Sequence, residues 1–338
     1  MVPNRILIVG RGSMGQRHYE ISRRLFPNAE VAVFSRLGES NEFPLVFTTR
    51  EEISSFLPEI SVIANRSSEH LEFATFLANM NSHLLIEKPI SVDLIGMEEL
   101  LKVKKRNNLK ISVGYNLQYL PSFNFLMELL AQEKIGQVLD VRIEVGQNLE
   151  SWRPNRDYRA TASARKKEGG GVLRELSHEI NYLLELFGMP NWVFGSKAKV
   201  SDLEVDVEDI AHLIFGIPRK DGSEFMASLI LDFVRQDKTR KCTIIGSLGT
   251  LEWNVLDGTI KETTGQSGQI SILNNTEESI AETYLAEWAD LIEAISHDKE
   301  PNGSLWGAIN SLEVVLASEE SHQTKARVDL DLKDWSVQ

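Results

Sequence analysis

The run Gly10-Arg11-Gly12-Ser13-Met14-Gly15 constrains this chain more than any other feature. It follows directly on Arg5-Ile6-Leu7-Ile8-Val9, a short β-rich apolar run, and opens onto Ser13–Leu25, whose apolar spacing predicts a helix. In a strand, turn and helix of this kind the three glycines serve separate ends. The first makes a tight turn, the second lets backbone approach a pyrophosphate, and the third lets the helix pack close to the strand. The helix start then offers unpaired amides and a positive dipole end to an anion. The spacing predicts a dinucleotide site formed by Gly10, Gly12, Ser13, Met14 and Gly15.

The pattern continues as an α/β unit. Apolar runs at Ile6-Val9, Glu30-Ser35, Val46-Thr48, Ser61-Ala64, His83-Glu87 and Lys110-Val113 alternate with helical stretches at Glu51-Phe56, His70-Met80 and Leu94-Arg106. Such alternation gives a doubly wound parallel sheet, a Rossmann domain over residues 1–118. From residue 119 to 338 the periodicity changes. Val138-Gly146, Val193-Lys199, His212-Phe215, Phe225-Phe233, Lys241-Ile245 and Thr250-Asn254 alternate apolar and polar residues, which predicts a large, mostly antiparallel open sheet in an α+β domain. Helices are expected at Leu120-Gln132, Leu173-Phe187, Thr283-Ser296 and Leu305-Ser321, the last packing back on the first domain. The polar, glycine-containing stretch Thr263-Asn275 reads as a mobile loop.

Composition narrows the partners. With 338 residues the chain exceeds the usual size of one core, and 42% hydrophobic with 25% charged residues suits folded domains. A net charge of −13, with only the short basic run Lys102-Val103-Lys104-Lys105-Arg106, argues against nucleic acid. The single cysteine, Cys242, cannot form an internal disulfide or a cysteine metal cluster, so no metal is expected. No signal-type or membrane-length apolar run is evident. A cytoplasmic protein without a membrane partner is the expectation. The second-domain sheet needs cover on both faces, which suggests a homodimer or homotetramer.

Four further sites carry chemistry. At the end of the second strand, where NAD enzymes hold an acidic residue for the ribose hydroxyls, this chain reads Phe34-Ser35-Arg36. Ser35 can donate to a 2′-phosphate and Arg36 can pair with it, so NADP is favoured and NAD is the alternative; the competing reading is an exposed arginine in a loop. Glu87-Lys88-Pro89 lies at the carboxyl end of the fifth strand, where open α/β sheets bind ligands. The Lys88 ammonium could polarise a substrate oxygen, or could merely pair with Glu87. His178 stands among Leu176, Ile180, Leu183, Leu184 and Phe187 in a helical pattern, one turn after Arg174, which fits a core histidine as well as a catalyst. Between residues 151 and 166, Arg153, Arg156, Arg159, Arg165 and Lys166 gather beside Trp152 and Tyr158. These could clamp an anionic group while the aromatics stack on a sugar face, or could be surface pairs with Asp157 and Glu168.

Taken with Val62-Ile-Ala-Asn-Arg-Ser-Ser-Glu-His70, Val113-Gly-Tyr-Asn116, Pro121, Gly169-Gly-Gly171, His178-Glu-Ile-Asn181, Val207-Glu-Asp209 and Gly246-Ser-Leu-Gly-Thr250, these motifs resemble the Gfo/Idh/MocA family of sugar oxidoreductases over essentially the whole chain. The resemblance implies Lys88 and His178 as catalytic residues. It implies that Asn65, His70, Glu87 and Lys88 join the glycine turn, Ser35 and Arg36 at the cofactor. It further implies that Asn116, Trp152, Arg153, Tyr158, Arg165, Glu175 and Asn181 line the substrate. Two positions depart from the family pattern, since Arg174 and Asn181 stand where aspartates are common. The implied activity is hydride transfer between NADP(H) and a sugar, sugar acid or similar alcohol or ketone. A redox-neutral lyase or glycosidase on the same fold, or a non-catalytic cofactor-gated binding protein, is the alternative.

Overall fold

The computed structural model describes residues 2–38, 40–152, 157–265, 268–274 and 278–330. They divide into two compact units: one is drawn from residues 2–115 and 284–312, the other from residues 116–283 and 313–330.

The first unit holds β1 (Arg5–Val9), α1 (Ser13–Leu25), β2 (Glu30–Phe34), β3 (Val46–Phe47), α2 (Arg50–Phe56), β4 (Ile60–Ile63), α3 (Ser67–Asn79), β5 (His83–Ile86), α4 (Met97–Arg106) and β6 (Ile111–Val113). Its six strands run parallel in the order β3-β2-β1-β4-β5-β6. Central strands of such a sheet are covered on both faces and must be apolar throughout. Ile6, Leu7, Ile8 and Val9 of β1 and Ile60, Val62 and Ile63 of β4 are accordingly fully buried. The chain order reverses direction between β1 and β4, the place where doubly wound sheets bind nucleotides.

The second unit begins with α5 (Pro121–Ala131) and β7 (Val138–Gly146), followed by α6 (Val172–Glu175), α7 (His178–Phe187), β8 (Trp192–Ala198), β9 (Ile210–Pro218), β10 (Glu224–Asp232), β11 (Thr239–Gly246), β12 (Gly249–Asn254), β13 (Ile260–Thr264) and β14 (Gln269–Asn274). The chain then enters α8 (Ile280–His297) and α9 (Leu305–Thr324), and ends its described part at β15 (Val328–Asp329). Nine strands form one sheet ordered β14-β13-β12-β11-β7-β10-β9-β8-β15. Among the described residues only β7 and β10 pair in parallel in this sheet, with Leu229 beside Ile143. One face packs on the helices through Val141, Ile143, Leu213, Phe215, Leu229, Leu231 and Trp253. The boundary between the units falls within α8 and within α9. The α8 part that belongs to the first unit supplies Trp288 and Leu291 to the core under Ile6, Ile8 and Val62.

Two expectations need correction. Thr263-Asn275, read as a loop, contributes to a hairpin in which β13 and β14 pair from Thr264 opposite Gln269 to Ile260 opposite Asn274. The helix expected over Leu173-Phe187 is broken, because α6 stops at Glu175 and α7 starts at His178. His178 therefore opens a helix rather than sitting inside one, and Arg174 belongs to a different helix.

Candidate active site

In the first unit the glycine turn is built as the sequence requires. Gly10 has φ +105° and its amide donates to Phe34 O at 3.0 Å. A Cβ on Gly15 would collide with the carbonyl of Gly10, so only glycine lets α1 start this close to β1. Gly12 caps α1 with no side chain bonded to the helix start and no acidic residue in its first turn. A Cβ on Gly12 would meet nothing within 4 Å. An uncapped, uncharged helix start facing open space is what an incoming pyrophosphate needs, and these residues fit a dinucleotide.

The rim of this site is more crowded than the sequence suggests. Ser35 is 7% exposed and its Oγ accepts from the Leu37 amide at 3.2 Å. Arg36 Nη1 lies 2.7 Å from Glu69 Oε1, and Asn65 Nδ2 donates to the other oxygen of the same carboxylate at 2.9 Å. Burial works against the charge of Glu69, but the hydrogen bonds of Arg36 and Asn65 and the nearby guanidinium charges outweigh it and hold the carboxyl below its usual range. Glu69 in turn raises the pKa of Arg36, chiefly through their hydrogen bond.

At the end of β5, Glu87 and Lys88 are the next two residues, and the Lys88–Pro89 bond is cis. Glu87 Oε1 lies 2.8 Å from His18 Nε2, and Trp288 Nε1 lies 3.0 Å from His18 Nδ1. An indole N–H only donates, so His18 Nδ1 must accept and the ring proton must sit on Nε2, donating to Glu87. His18 of α1, Glu87 just past β5 and Trp288 of α8 thus form one directed chain that ends at the residue before Lys88.

His70, expected among the cofactor residues, lies buried near the start of α3. It is 2% exposed, with Nδ1 2.8 Å from Pro89 O and Nε2 3.3 Å from Asn65 O. Burial keeps its pKa low, so the ring is neutral, and the shorter contact places its proton on Nδ1. The ring ties the start of α3 to the residue after Lys88.

In the second unit, Gly171 (φ +114°) precedes α6, and a Cβ there would strike the Glu208 carboxylate. Glu208 Oε1 also accepts from the Leu173 amide at 3.3 Å, while Lys197 Nζ bridges Glu208 Oε2 at 3.2 Å and Glu319 Oε1 at 3.1 Å. Arg174 Nη2 binds Glu319 Oε2 at 2.9 Å. The arginine that departs from the family pattern is therefore held by a carboxylate from α9. His178 opens α7, and the next residue, the fully buried Glu179, is gripped by Arg240 through contacts of 2.6 and 3.1 Å. Asn181 is 4% exposed on the same helix, and Glu175 ends α6 half-buried.

The remaining expected substrate residues have contacts of their own. Asn116 is buried with Nδ2 donating to Thr283 Oγ1 at 2.7 Å. Trp152 packs edge-on against Phe233, the ring centroids 5.1 Å apart. The Tyr158 hydroxyl accepts from the Glu204 amide at 3.1 Å. Arg165 Nε donates to the Arg159 carbonyl at 3.0 Å, and Arg159 pairs with Asp157 and Glu204. Arg153 and Arg156 lie outside the described residues. Sequence reasoning missed His18, Trp288, Glu179, Glu319 and Glu287. His18 carried a signal, since it lies on α1 just past the glycine turn; the others depend on long-range packing. Among the described residues no cluster of three metal-binding side chains is present, and no helix is long and apolar enough to cross a membrane.

Comparison with known proteins agrees with this architecture. Residues 4–115 match the oxidoreductase family model of the NAD-binding Rossmann fold, and residues 127–330 match that of the family's C-terminal alpha/beta domain. An oxidoreductase of Formosa agariphila is 25% identical over 228 residues, covering 66% of this chain and 68% of the relative. Glucose-6-phosphate 3-dehydrogenase of Bacillus subtilis is 24% identical over 223 residues, covering 62% of this chain and 63% of that enzyme. Among solved structures, levoglucosan dehydrogenase in complex with NADH and levoglucosan superposes with a TM-score of 0.79 at 17% identity, over 96% of this chain and 98% of its own.

Proposed function

The chain belongs to the Gfo/Idh/MocA oxidoreductase family through both of its units, and from that membership we propose an NADP(H)-dependent enzyme that moves a hydride between nicotinamide and a CH–OH or C=O carbon of a sugar, sugar acid or sugar phosphate. The nicotinamide ring, when bound, supplies or takes the hydride. The observation that carries the reading is Lys88 placed two residues past β5, with Glu87 before it fixed by His18 and Pro89 after it tied to His70. In this reading the Lys88 ammonium holds and polarises the substrate oxygen, and His178 exchanges the proton. Glu179 and the Arg174–Glu319–Lys197 network hold the segment that carries His178.

Ser35 and Arg36 support NADP, although Arg36 must share its guanidinium with Glu69. The NADH complex of levoglucosan dehydrogenase makes NAD the natural competitor. A relative acting on glucose 6-phosphate fits an anionic substrate met by Arg165 and Arg153, with Asn116, Trp152, Tyr158, Glu175 and Asn181 around the sugar. The outer face of the nine-stranded sheet presents Phe194, Ile214, Met226 and Ile230, which supports self-association. The test is an absorbance assay of free NADPH and NADH with sugars, sugar acids and sugar phosphates. Stoichiometric cofactor turnover with one of these classes supports the reading. Substrate conversion without net change in free cofactor points instead to redox-neutral chemistry.

A further inference from the structure

Glu287, on the part of α8 that belongs to the first unit, is fully buried, and neither of its carboxyl oxygens accepts a hydrogen bond from a described residue. A buried carboxylate without a cation or donor is among the most costly arrangements a fold can contain. Its neighbours make ionisation harder still. A Cβ built on Gly114 would lie 3.3 Å from Glu87 Oε2 and 3.5 Å from Glu287 Oε1, so both carboxyls face the same bare stretch of backbone after β6. The absence of a side chain at Gly114 is what leaves them room.

Among the described residues, the charges that act most on Glu287 are those of Glu87 and Asp290, both negative. His18 presents Nδ1 to Trp288 and spends its ring proton on Glu87 Oε1. Arg17, on α1, lies over the Tyr284 ring, 4.5 Å from its centroid. Asp290, one turn along α8, accepts from the amides of Asn302 and Gly303 at 2.7 and 3.4 Å and adds negative charge.

We propose that Glu287 is a proton-carrying positioning residue: a neutral carboxylic acid that supplies the second donor to the Glu87 side of the network, opposite His18, and so fixes the Glu87–Lys88 corner with one negative charge instead of two. Burial first, and then the charges of Glu87 and Asp290, push the Glu287 carboxyl well above the usual carboxylate range. Burial and the charge of Glu87 likewise push Tyr284 up to about 12, which keeps this phenol neutral. A second negative charge behind Lys88 would bind its ammonium more tightly and hold back its interaction with substrate oxygen. The importance of Glu287 for turnover rests on the reading of Lys88 given above; the proton on Glu287 does not.

Linkage gives the sign of the effect. The folded pKa of Glu287 is raised, so above the unfolded value of about 4.3 the folded state holds a proton that the unfolded chain releases. Stability from this group is greatest below that value and declines as pH rises toward the folded pKa.

The test is infrared spectroscopy of the full chain in D₂O, without substrate, for the wild type, Glu287→Gln and Glu87→Gln. A carboxylic-acid C=O band at neutral pH that disappears in Glu287→Gln, and that titrates at lower pH in Glu87→Gln, supports the proposal. The glutamine variant is then at least as stable as the wild type at neutral pH, with its advantage growing as pH rises. A wild-type spectrum in which Glu287→Gln removes no acid band, or a band whose titration ignores Glu87→Gln, overturns it. Should Glu287→Gln fail to fold, the pH titration of the band in wild type and Glu87→Gln decides alone. A correct infrared result in a chain that turns over no sugar would sink the functional reading and leave this one standing.

Discussion

His18 Nε2 donates to Glu87 Oε1 across 2.8 Å, joining the helix that follows the glycine turn to the strand end that carries Lys88. Trp288 sets the direction of that bond by donating to the opposite ring nitrogen at 3.0 Å. Nitrogen NMR of His18 should show the tautomer protonated at Nε2. Trp288→Phe removes the indole donor and should cost about 1–3 kcal/mol in denaturant unfolding, part unmade hydrogen bond and part cavity. A His18 ring protonated at Nδ1 would remove the directed chain from the account.

Cofactor choice turns on Arg36 and Glu69, which are 2.7 Å apart. Calorimetry should give NADP tighter than NAD, and Arg36→Ala should weaken NADP by about 1–3 kcal/mol, the scale of a charge-assisted hydrogen bond, with little change for NAD. Glu69→Gln should do the opposite, because a released guanidinium can give all its donors to a phosphate. Equal binding of the two cofactors in the wild type would assign Arg36 to its ion pair alone.

How far the sequence could be read depends on the distance over which each feature is decided. The parallel sheet, the glycine turn and the Glu87-Lys88-Pro89 corner are local, and Ser13–Leu25 and Val138–Gly146 end where their apolar spacing ends. The β13–β14 hairpin was illegible because its residues are polar and Gly265 and Gly268 imitate a loop, while Ile270 and Ile272 stay exposed. The break before His178 was hidden for the opposite reason: the apolar spacing runs unbroken from Leu173 to Phe187, and only the backbone departs at Leu176 and Ser177. Arg174 looked like an extra charge beside His178, and its partner Glu319 is 145 positions away.

That partner carries a pH signature. Burial disfavours the charge on Glu319, but hydrogen bonds and charges from Arg174 and Lys197 prevail, so its pKa is lowered in the folded chain. A lowered carboxyl pKa contributes stability above the unfolded value of about 4.3 and loses it as pH falls toward the folded value. Glu319→Gln should therefore be less stable than wild type at neutral pH by about 1–2 kcal/mol, below the cost of stripping one partner from a fully buried pair because solvent screens this half-buried one, and the gap should close in acid. A gap independent of pH would mean that packing rather than charge is at work.

Association through the outer sheet face can be tested with one substitution. Phe194 on β8 pairs with Ile214 on β9, and both are exposed in the single chain. Ile214→Asp should shift sedimentation toward the monomer without altering cofactor affinity, because a charge cannot be buried in an apolar interface without a partner. An unchanged sedimentation coefficient would place any interface elsewhere.

The most direct test of the account is the rate of hydride transfer in single-turnover experiments on wild type, Lys88→Met, His178→Asn and the double variant, once a sugar substrate has been identified. Each single variant should lower that rate by about 10²–10⁴ while the cofactor Kd stays nearly constant, and the double variant should lose much less than the product, because groups that act as a unit are not additive. Full-rate transfer in either single variant would contradict the central assignment.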